Sequence, residues 1–334
     1  MAESLISRRR FGAWMAGAAA VAAAAPLAGL AQSGWPQAGR PIRILVGLAA
    51  GGSLDGQARA VARRLGEIAG TQVIVENKPG ASMMLSASEA MRAAPDGYTL
   101  LYAPSSLFAQ NPHTLSSVPY DPFTDFTPIT LAARGPLVLT VHTSLGVHTG
   151  KELVAWAKAH PGKLNFASFG TGTSSHIYAM AFAKATGIEV THVPYKGTAE
   201  AARDLLEGRV QAYFDAAPTA IQNAATGRIR MAGVASPRRM PAAPDVPTFT
   251  EQGIAGLDLT SWISIVGPAR MPPELVARLN ALLVQTLNAP DVKEFYAKGA
   301  WEASPSTPAE LSHEMRVAYE RWGQMVQQIG FQKQ

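Results

Sequence analysis

Short apolar runs alternate along this chain with longer segments whose apolar positions recur every three or four residues. The run Ile42-Arg43-Ile44-Leu45-Val46 predicts a buried strand; Leu54, Ala58, Val61, Ala62, Leu65 and Ile68 then share one face of a helix. Val73-Ile74-Val75 predicts a second strand, 84–91 a helix, and Thr99-Leu100-Leu101-Tyr102 a third strand. The alternation returns with strands at 164–167, 190–193, 210–214 and 231–235, and helices at 174–186 and 198–207. Strand and helix in this order predict an α/β fold of mostly parallel sheets with right-handed crossovers.

Two such sets, parted by the Pro-, Asp- and Phe-rich residues 119–128, predict two sheets and two lobes. The runs 137–141 and Trp262-Ile263-Ser264-Ile265-Val266 read as strands crossing between them, the second after a stretch punctuated by Pro237, Pro241, Pro244 and Pro247. One lobe then comprises 38–137 and 255–334, the other 138–254. Helices at 273–287 and 310–329 pack back on the first lobe. The latter carries a stripe of Leu311, Met315, Ala318, Trp322 and Met325.

The first 31 residues follow a different pattern. Arg8-Arg9-Arg10-Phe11 precedes a run of small apolar residues that closes on Gly29-Leu30-Ala31 before Gln32. This is the layout of a cleaved export signal, and Arg-Arg-x-Phe is similar to a twin-arginine address. A membrane anchor is the alternative, disfavoured because the run is mostly Ala and Gly and is broken by Pro26. Export places the mature protein in the periplasm, where neither ATP nor NAD is maintained as a cofactor supply. A glycine-rich loop there points to another anion.

Composition narrows the classes further. At 334 residues, 47% apolar and 16% charged, the chain buries one large core or two moderate ones and has no disordered block. The net charge of +5 falls to +3 without the leader, and its basic residues then cluster no further than pairs such as Arg238-Arg239. That argues against a nucleic-acid partner. The absence of cysteine removes disulfides, thiolate metal sites, a cysteine nucleophile and lipidation of an N-terminal cysteine, so the protein is not a lipoprotein.

Three segments fall at the carboxyl ends of strands, where open α/β sheets bind ligands. In Gly47-Leu48-Ala49-Ala50-Gly51-Gly52-Ser53-Leu54-Asp55, glycines turn the backbone and leave N–H groups at a helix start free for an anion. A tight turn capped by Ser53 or Asp55 is the plainer alternative. In Ser168-Phe169-Gly170-Thr171-Gly172-Thr173-Ser174-Ser175-His176, hydroxyls and two glycines precede a helix whose N-terminus carries partial positive charge. A hydroxyl-rich cap without a ligand is the alternative there. The third segment pairs Tyr195-Lys196 with Asp215: the lysine either meets a carboxylate or is solvated, and the aspartate either faces the cleft or turns the chain. A ligand gripped by loops of both lobes is largely dehydrated, as a recognition pocket requires.

Catalysis finds little support. The seven histidines (His113, His142, His148, His160, His176, His192, His313) show no metal-ligating spacing, and neither a Gly-x-Ser-x-Gly elbow nor Ser-x-x-Lys occurs. His176 beside Ser174 imitates a nucleophile and base only in sequence, and no set of acid, base and stabiliser assembles. The residues point to binding, with no enzyme activity, cofactor or metal.

Several motifs in order resemble one family. They include Pro41-Ile42-Arg43-Ile44, Gly51-Gly52-Ser53-x-Asp55, Glu76-Asn77-Lys78-Pro79-Gly80-Ala81 and Pro95-Asp96-Gly97-Tyr98-Thr99-Leu100. Pro119-Tyr120-Asp121-Pro122, Ala159-His160-Pro161-Gly162-Lys163-Leu164, His192-Val193-Pro194-Tyr195-Lys196-Gly197, Phe214-Asp215 and Pro244-Asp245-Val246-Pro247 continue the series. Over essentially the whole mature chain this resembles the substrate-binding proteins of tripartite tricarboxylate transporters, the Bug-type solute receptors. The resemblance implies a two-lobed Venus-flytrap fold of the type II periplasmic-binding class. It also implies a small carboxylate bound between the lobes by a monomer, then passed transiently to membrane permease subunits or sensed by a kinase. By position, Leu48, Ala50, Gly51, Gly52, Ser53 and Asp55, with Ser168, Gly170, Thr171, Gly172, Thr173, Ser174 and His176, would hold the carboxylate. Ser105 and Ser106 would add hydroxyls, and Tyr195, Lys196 and Asp215 would meet the distal part.

The chain departs from the family's pattern at Gly47-Leu48-Ala49-Ala50, where Pro-Phe-x-Pro is usual, at Ser82-Met83, where Gly-Gly is usual, and at Glu200, often proline. A pocket wider beside Leu48, with Met83 as an adaptable filler, is the expected consequence. The alternative function is a ligand-dependent partner of a sensor protein; an exported enzyme ranks below it, its best argument being that twin-arginine signals carry folded cofactor enzymes.

Overall fold

The computed structural model describes residues 34–37, 39–257 and 260–333; the expected leader lies outside them. Residues 34–37 form a short turn in a unit separate from 38–334, and the architecture below is that of the latter.

One sheet contains β1 (Ile42–Val46), β2 (Val73–Asn77), β3 (Thr99–Pro104), β4 (Phe126–Gly135), β10 (Ser261–Pro268) and β11 (Glu302–Ala303). Their order is β11-β4-β10-β3-β1-β2. The other contains β5 (Leu137–His142), β6 (Asn165–Ser168), β7 (Thr191–Pro194), β8 (Ala212–Ala216) and β9 (Ile229–Ala235), in the order β7-β6-β8-β5-β9. The parallel pairs come from strand–helix–strand units: β1 with β2 and β3 through α1 (Ser53–Ala69) and α2 (Met84–Arg92), and β6 with β7 and β8 through α5 (Ser174–Thr186) and α6 (Thr198–Leu206). All other pairs are antiparallel, so both sheets are mixed where mostly parallel sheets were expected.

The antiparallel pairs arise where the chain passes between lobes. β4 ends at Gly135 in the first sheet, Pro136 follows, and β5 begins at Leu137 in the second; β9 and β10 make the return. β10 pairs antiparallel to β4, and β5 to β9. Each passage therefore uses two strands in different sheets. Residues 119–128 conceal the start of β4 because Pro128 interrupts its pattern. In the structure the pairing of β4 with β10 slips beside Pro128, leaving Ile129 without an opposite residue, and such a bulge is where a sheet tolerates proline.

Four further helices escape the periodicity. They are α3 (Asn111–Thr114), which follows a π-helical turn at Ser106–Gln110, α4 (Gly150–Ala159), α7 (Ala217–Ala224) and α9 (Pro290–Lys298). α3 has only four residues and α7 eight, too few to show repeated apolar spacing. Thr149 caps α4, its Oγ1 accepting the Glu152 N–H at 3.1 Å.

The two cores are separate aromatic clusters. In the first lobe Phe108 lies edge-on to Phe126 (centroids 5.4 Å apart) and parallel to Trp262. In the second, Phe214 is surrounded by Phe166, Tyr178, Phe182 and Phe249, at 5.6–6.1 Å. The helix α8 (Pro273–Asn288) covers the first sheet beside α1. A capping box of Thr307 and Glu310 opens α10 (Pro308–Gln328), which buries Leu311, Met315, Ala318, Trp322 and Val326, with Met325 only half-buried. α10 does more than return to the first lobe. Trp322 stands edge-on to Tyr178 of α5, and Phe331 edge-on to His176, so the C-terminal segment touches both lobes. Among the described residues no helix is long and apolar enough to cross a membrane.

Candidate functional site

The first loop turns between β1 and α1 because its glycines permit it. Gly47 packs so tightly that an added Cβ would lie 2.6 Å from Met83 Cβ, and Gly51 has φ +84°. Gly51 N–H donates to Asp55 Oδ2 at 3.0 Å, and the same oxygen accepts from Arg59 Nε. Burial pushes the Asp55 carboxyl up, but these bonds and Asn77 outweigh it and hold the group below its ordinary range. Asp55 therefore fixes the loop. Asn77 Nδ2 holds the Leu48 carbonyl at 3.0 Å, which settles Leu48 in a buried position, while Ala50 is exposed.

This loop meets the other lobe directly. Ser53 N–H donates to Thr198 Oγ1 at 3.3 Å, and a Cβ on Gly52 would stand 2.2 Å from that oxygen. A Cβ on Gly197 would stand 3.2 Å from Ala49 N. The N-termini of α1 and α6 thus converge on one seam, and their partial positive charges reinforce each other.

A second contact closes the seam beyond the serine–threonine loop. Ser82 Oγ donates to the Thr171 carbonyl at 2.6 Å, and Thr114 Oγ1 lies 3.2 Å from the Gly172 carbonyl. Ser82 is held in place by Asn111 Nδ2 on its carbonyl. Ala81, Ser82 and Met83 all have positive φ (46°, 50° and 74°). Three successive non-glycine residues in that region store strain, so the Gly-Gly departure at 82–83 falls where the backbone most favours glycine.

Within the serine–threonine loop most polar groups serve the loop itself. Ser168 Oγ accepts the Gly170 N–H and lies 2.7 Å from His192 Nε2, while Thr173 Oγ1 donates to the Gly170 carbonyl. Gly172 N–H donates to His176 Nδ1 at 3.2 Å. The His176 and His192 rings stack with centroids 3.4 Å apart. Burial pushes His176 down to about 3, with His192 adding to the effect, and burial pushes His192 down to about 4, so both rings are neutral. Ser174 Oγ, by contrast, is buried without a hydrogen-bond partner at the N-terminus of α5, as is Ser106 Oγ on the opposite lobe.

Beside the Ser53–Thr198 contact lies a cavity of about 30 Å³, room for about two waters. Of the residues expected at the site, Leu48 and Ser53 line it. Leu54, Gln57, Pro104 and Ile263 join them from the first lobe, with Phe169, Thr198 and Ala216 from the second. Leu137, Ser261 and Trp301 complete the wall. Sequence reasoning passed over most of these because they flank the loops or sit far away in the chain. Phe169 and Thr198 were visible as loop neighbours; Trp301 carried no signal at all.

The remaining expected residues stand apart from the cavity. Ser105 is buried against Ser261, with their hydroxyl oxygens 3.3 Å apart. Tyr195 donates its hydroxyl to Asp204, and Lys196 is exposed. Asp215 is fully buried, and burial raises its carboxyl well above the ordinary range, outweighing the neighbouring Ala216 N–H and Tyr213 hydroxyl. Larger grooves of about 910 and 730 Å³ lie elsewhere, one along Pro136, Arg238 and Lys293, the other beside His176 and Phe331. Neither is where the loops of the two lobes meet. Among the described residues no cluster could hold a metal ion.

Comparison with known proteins shows the family and the fold. Residues 57–331 match the family described as "Tripartite tricarboxylate transporter family receptor". The UPF0065 protein in the tcbD-tcbE intergenic region of Pseudomonas sp. (strain P51) is 34% identical over 288 residues, 86% of this chain and 85% of that one. BugT of Bordetella pertussis is 30% identical over 87% of this chain and 90% of its own. The solved structure of the periplasmic binding protein BugD superposes with a TM-score of 0.85 at 30% identity, over 90% of this chain and 100% of that one. An R. palustris protein solved with adipate gives 0.87 at 30% over the same shares. MatC from Rhodopseudomonas palustris, solved with malate, gives 0.82 at 27% over 87% and 99%.

Proposed function

Since the chain belongs to the tripartite tricarboxylate transporter receptor family, we propose that it captures a small carboxylate between its lobes and delivers it to membrane permease subunits. The observation that carries this reading is the convergence of two helix N-termini and a glycine turn on one seam, joined by the Ser53–Thr198 hydrogen bond. Backbone N–H groups and hydroxyls there neutralise an anion without a charged side chain. The adipate and malate bound by two structural neighbours have the same chemistry.

The conformation described is closed. A ligand enters only when the Ser53–Thr198 and Ser82–Thr171 contacts part, and it stabilises the closed form through contacts with both lobes at once. The carboxylate seat in this reading comprises Gly51, Gly52, Ser53, Thr198 and the loop from Gly170 to Ser174, with Ser174 Oγ as a waiting partner. The relatives are solute-binding receptors, and the cavity wall carries hydroxyls and one amide but no acid–base pair, which supports binding over catalysis. The relatives' periplasmic setting supports the same compartment, reached by a twin-arginine signal in residues 1–31.

A thermal-shift screen of the purified protein against mono-, di- and tricarboxylates tests the proposal. A true ligand at a hundred times its Kd stabilises by about 2.7 kcal/mol. A melting temperature unmoved by every acid in the panel would refute it.

A further inference from the structure

We infer that the ligand carries one carboxylate on an apolar body, with at most a neutral hydrogen-bond acceptor at its far end, and that a second carboxylate is selected against. This rests on the receptor reading above and narrows it. The cavity is chemically lopsided. At the loop seam stand the N-termini of α1 and α6, with Ser53 and Thr198 on its wall. Toward the strands that pass between lobes the wall is Leu137, Ile263 and Trp301, and Leu48 and Phe169 are apolar as well.

Among the described residues no Lys, Arg or His lines the cavity. Its other polar groups are already engaged: Gln57 donates to Ser53 Oγ and accepts from the Tyr102 hydroxyl, and Ser261 faces Ser105. One donor remains. Trp301 is 5% exposed, and its indole N–H has no partner. The Trp301 ring is fixed against Gly135, where an added Cβ would stand 2.5 Å from it, so the indole is part of the wall.

One N–H satisfies a neutral acceptor such as an ether, hydroxyl or carbonyl oxygen. It leaves a carboxylate with most of its lone pairs unmet in apolar surroundings, and an unpaired buried charge is among the costliest groups to desolvate. The seam supplies donors for one such group, whereas the opposite end supplies none of comparable strength. The lobes must part to admit an aromatic or aliphatic body, and they then close on it less far than in the conformation described, with the same residues as walls.

Isothermal titration of the purified protein at neutral pH with benzoate, 4-methoxybenzoate, hexanoate, adipate, malate and citrate tests this. The best monocarboxylate is expected to bind at least tenfold more tightly than adipate, malate or citrate. Trp301→Phe keeps the ring and removes the N–H; it should weaken 4-methoxybenzoate five- to tenfold and leave benzoate within twofold. A diacid or citrate matching the best monoacid overturns the inference while the receptor reading stands. An equal loss for both benzoates in the Phe variant overturns the role given to the indole N–H. Absence of binding by every acid overturns the inference and the receptor reading together.

Discussion

The substitution Gly52→Ala probes closure with a single methyl group. Gly52 has φ −87° and ψ 175°, a conformation alanine adopts without strain, so the open protein should fold normally. In the closed form the new Cβ would stand 2.2 Å from Thr198 Oγ1, with Thr198 Cβ at 3.6 Å and Ala199 N at 3.7 Å. Only the hydroxyl clashes. If Thr198 rotates away, its bond from the Ser53 N–H is lost, costing about 1 kcal/mol. If it is trapped, overpacking costs up to about 3 kcal/mol. Both penalties fall on the closed state alone and reduce its population. Apparent affinity should therefore drop about 5- to 150-fold while the ligand-free melting temperature stays nearly constant. Adding Thr198→Ala removes the clashing atom and should restore most of the loss, leaving the double variant close to Thr198→Ala alone. Isothermal titration across the double-mutant cycle measures the coupling. Wild-type affinity in Gly52→Ala, or additive losses in the pair, would refute the idea that ligand is held by closure at this seam.

Two further outcomes follow from buried polar groups. Removing the unpartnered hydroxyl by Ser174→Ala, combined with Thr171→Ala, should leave thermal stability unchanged or slightly raised yet weaken carboxylate binding about tenfold, consistent with a lost hydrogen bond to a charged group; unchanged affinity would remove this loop from the site. The raised folded-state pKa of Asp215 means that its contribution to stability is fully present below the unfolded carboxyl value and is lost as pH rises through the folded one. Asp215→Asn should accordingly gain stability over wild type as pH rises from about 4 to 8, read from melting temperatures across that range; a constant difference would show that the carboxyl does not titrate on unfolding.

What the sequence determined by itself was most of the strand–helix alternation and the chemistry of the loops. Helix α1 and strand β1 lie on the apolar patterns that mark them, because a surface that must be buried imposes its spacing locally. The glycine turn at 51–52 and the hydroxyl loop at 168–174 were legible for the same reason: backbone conformation and helix-end polarity are set by near neighbours. Strand β4 was not, since Pro128 breaks its pattern and only pairing with β10 accommodates the bulge. Tertiary structure alone decided which groups share the cavity. Trp301 reaches it from far along the chain by packing on Gly135, whereas Asp55, Tyr195 and Asp215 sit in suggestive sequence positions but stand away from its wall. Contact across the seam depends on how two sheets are set against each other, and that is fixed by the passages at Gly135–Pro136 and between β9 and β10, not by the residues of either loop.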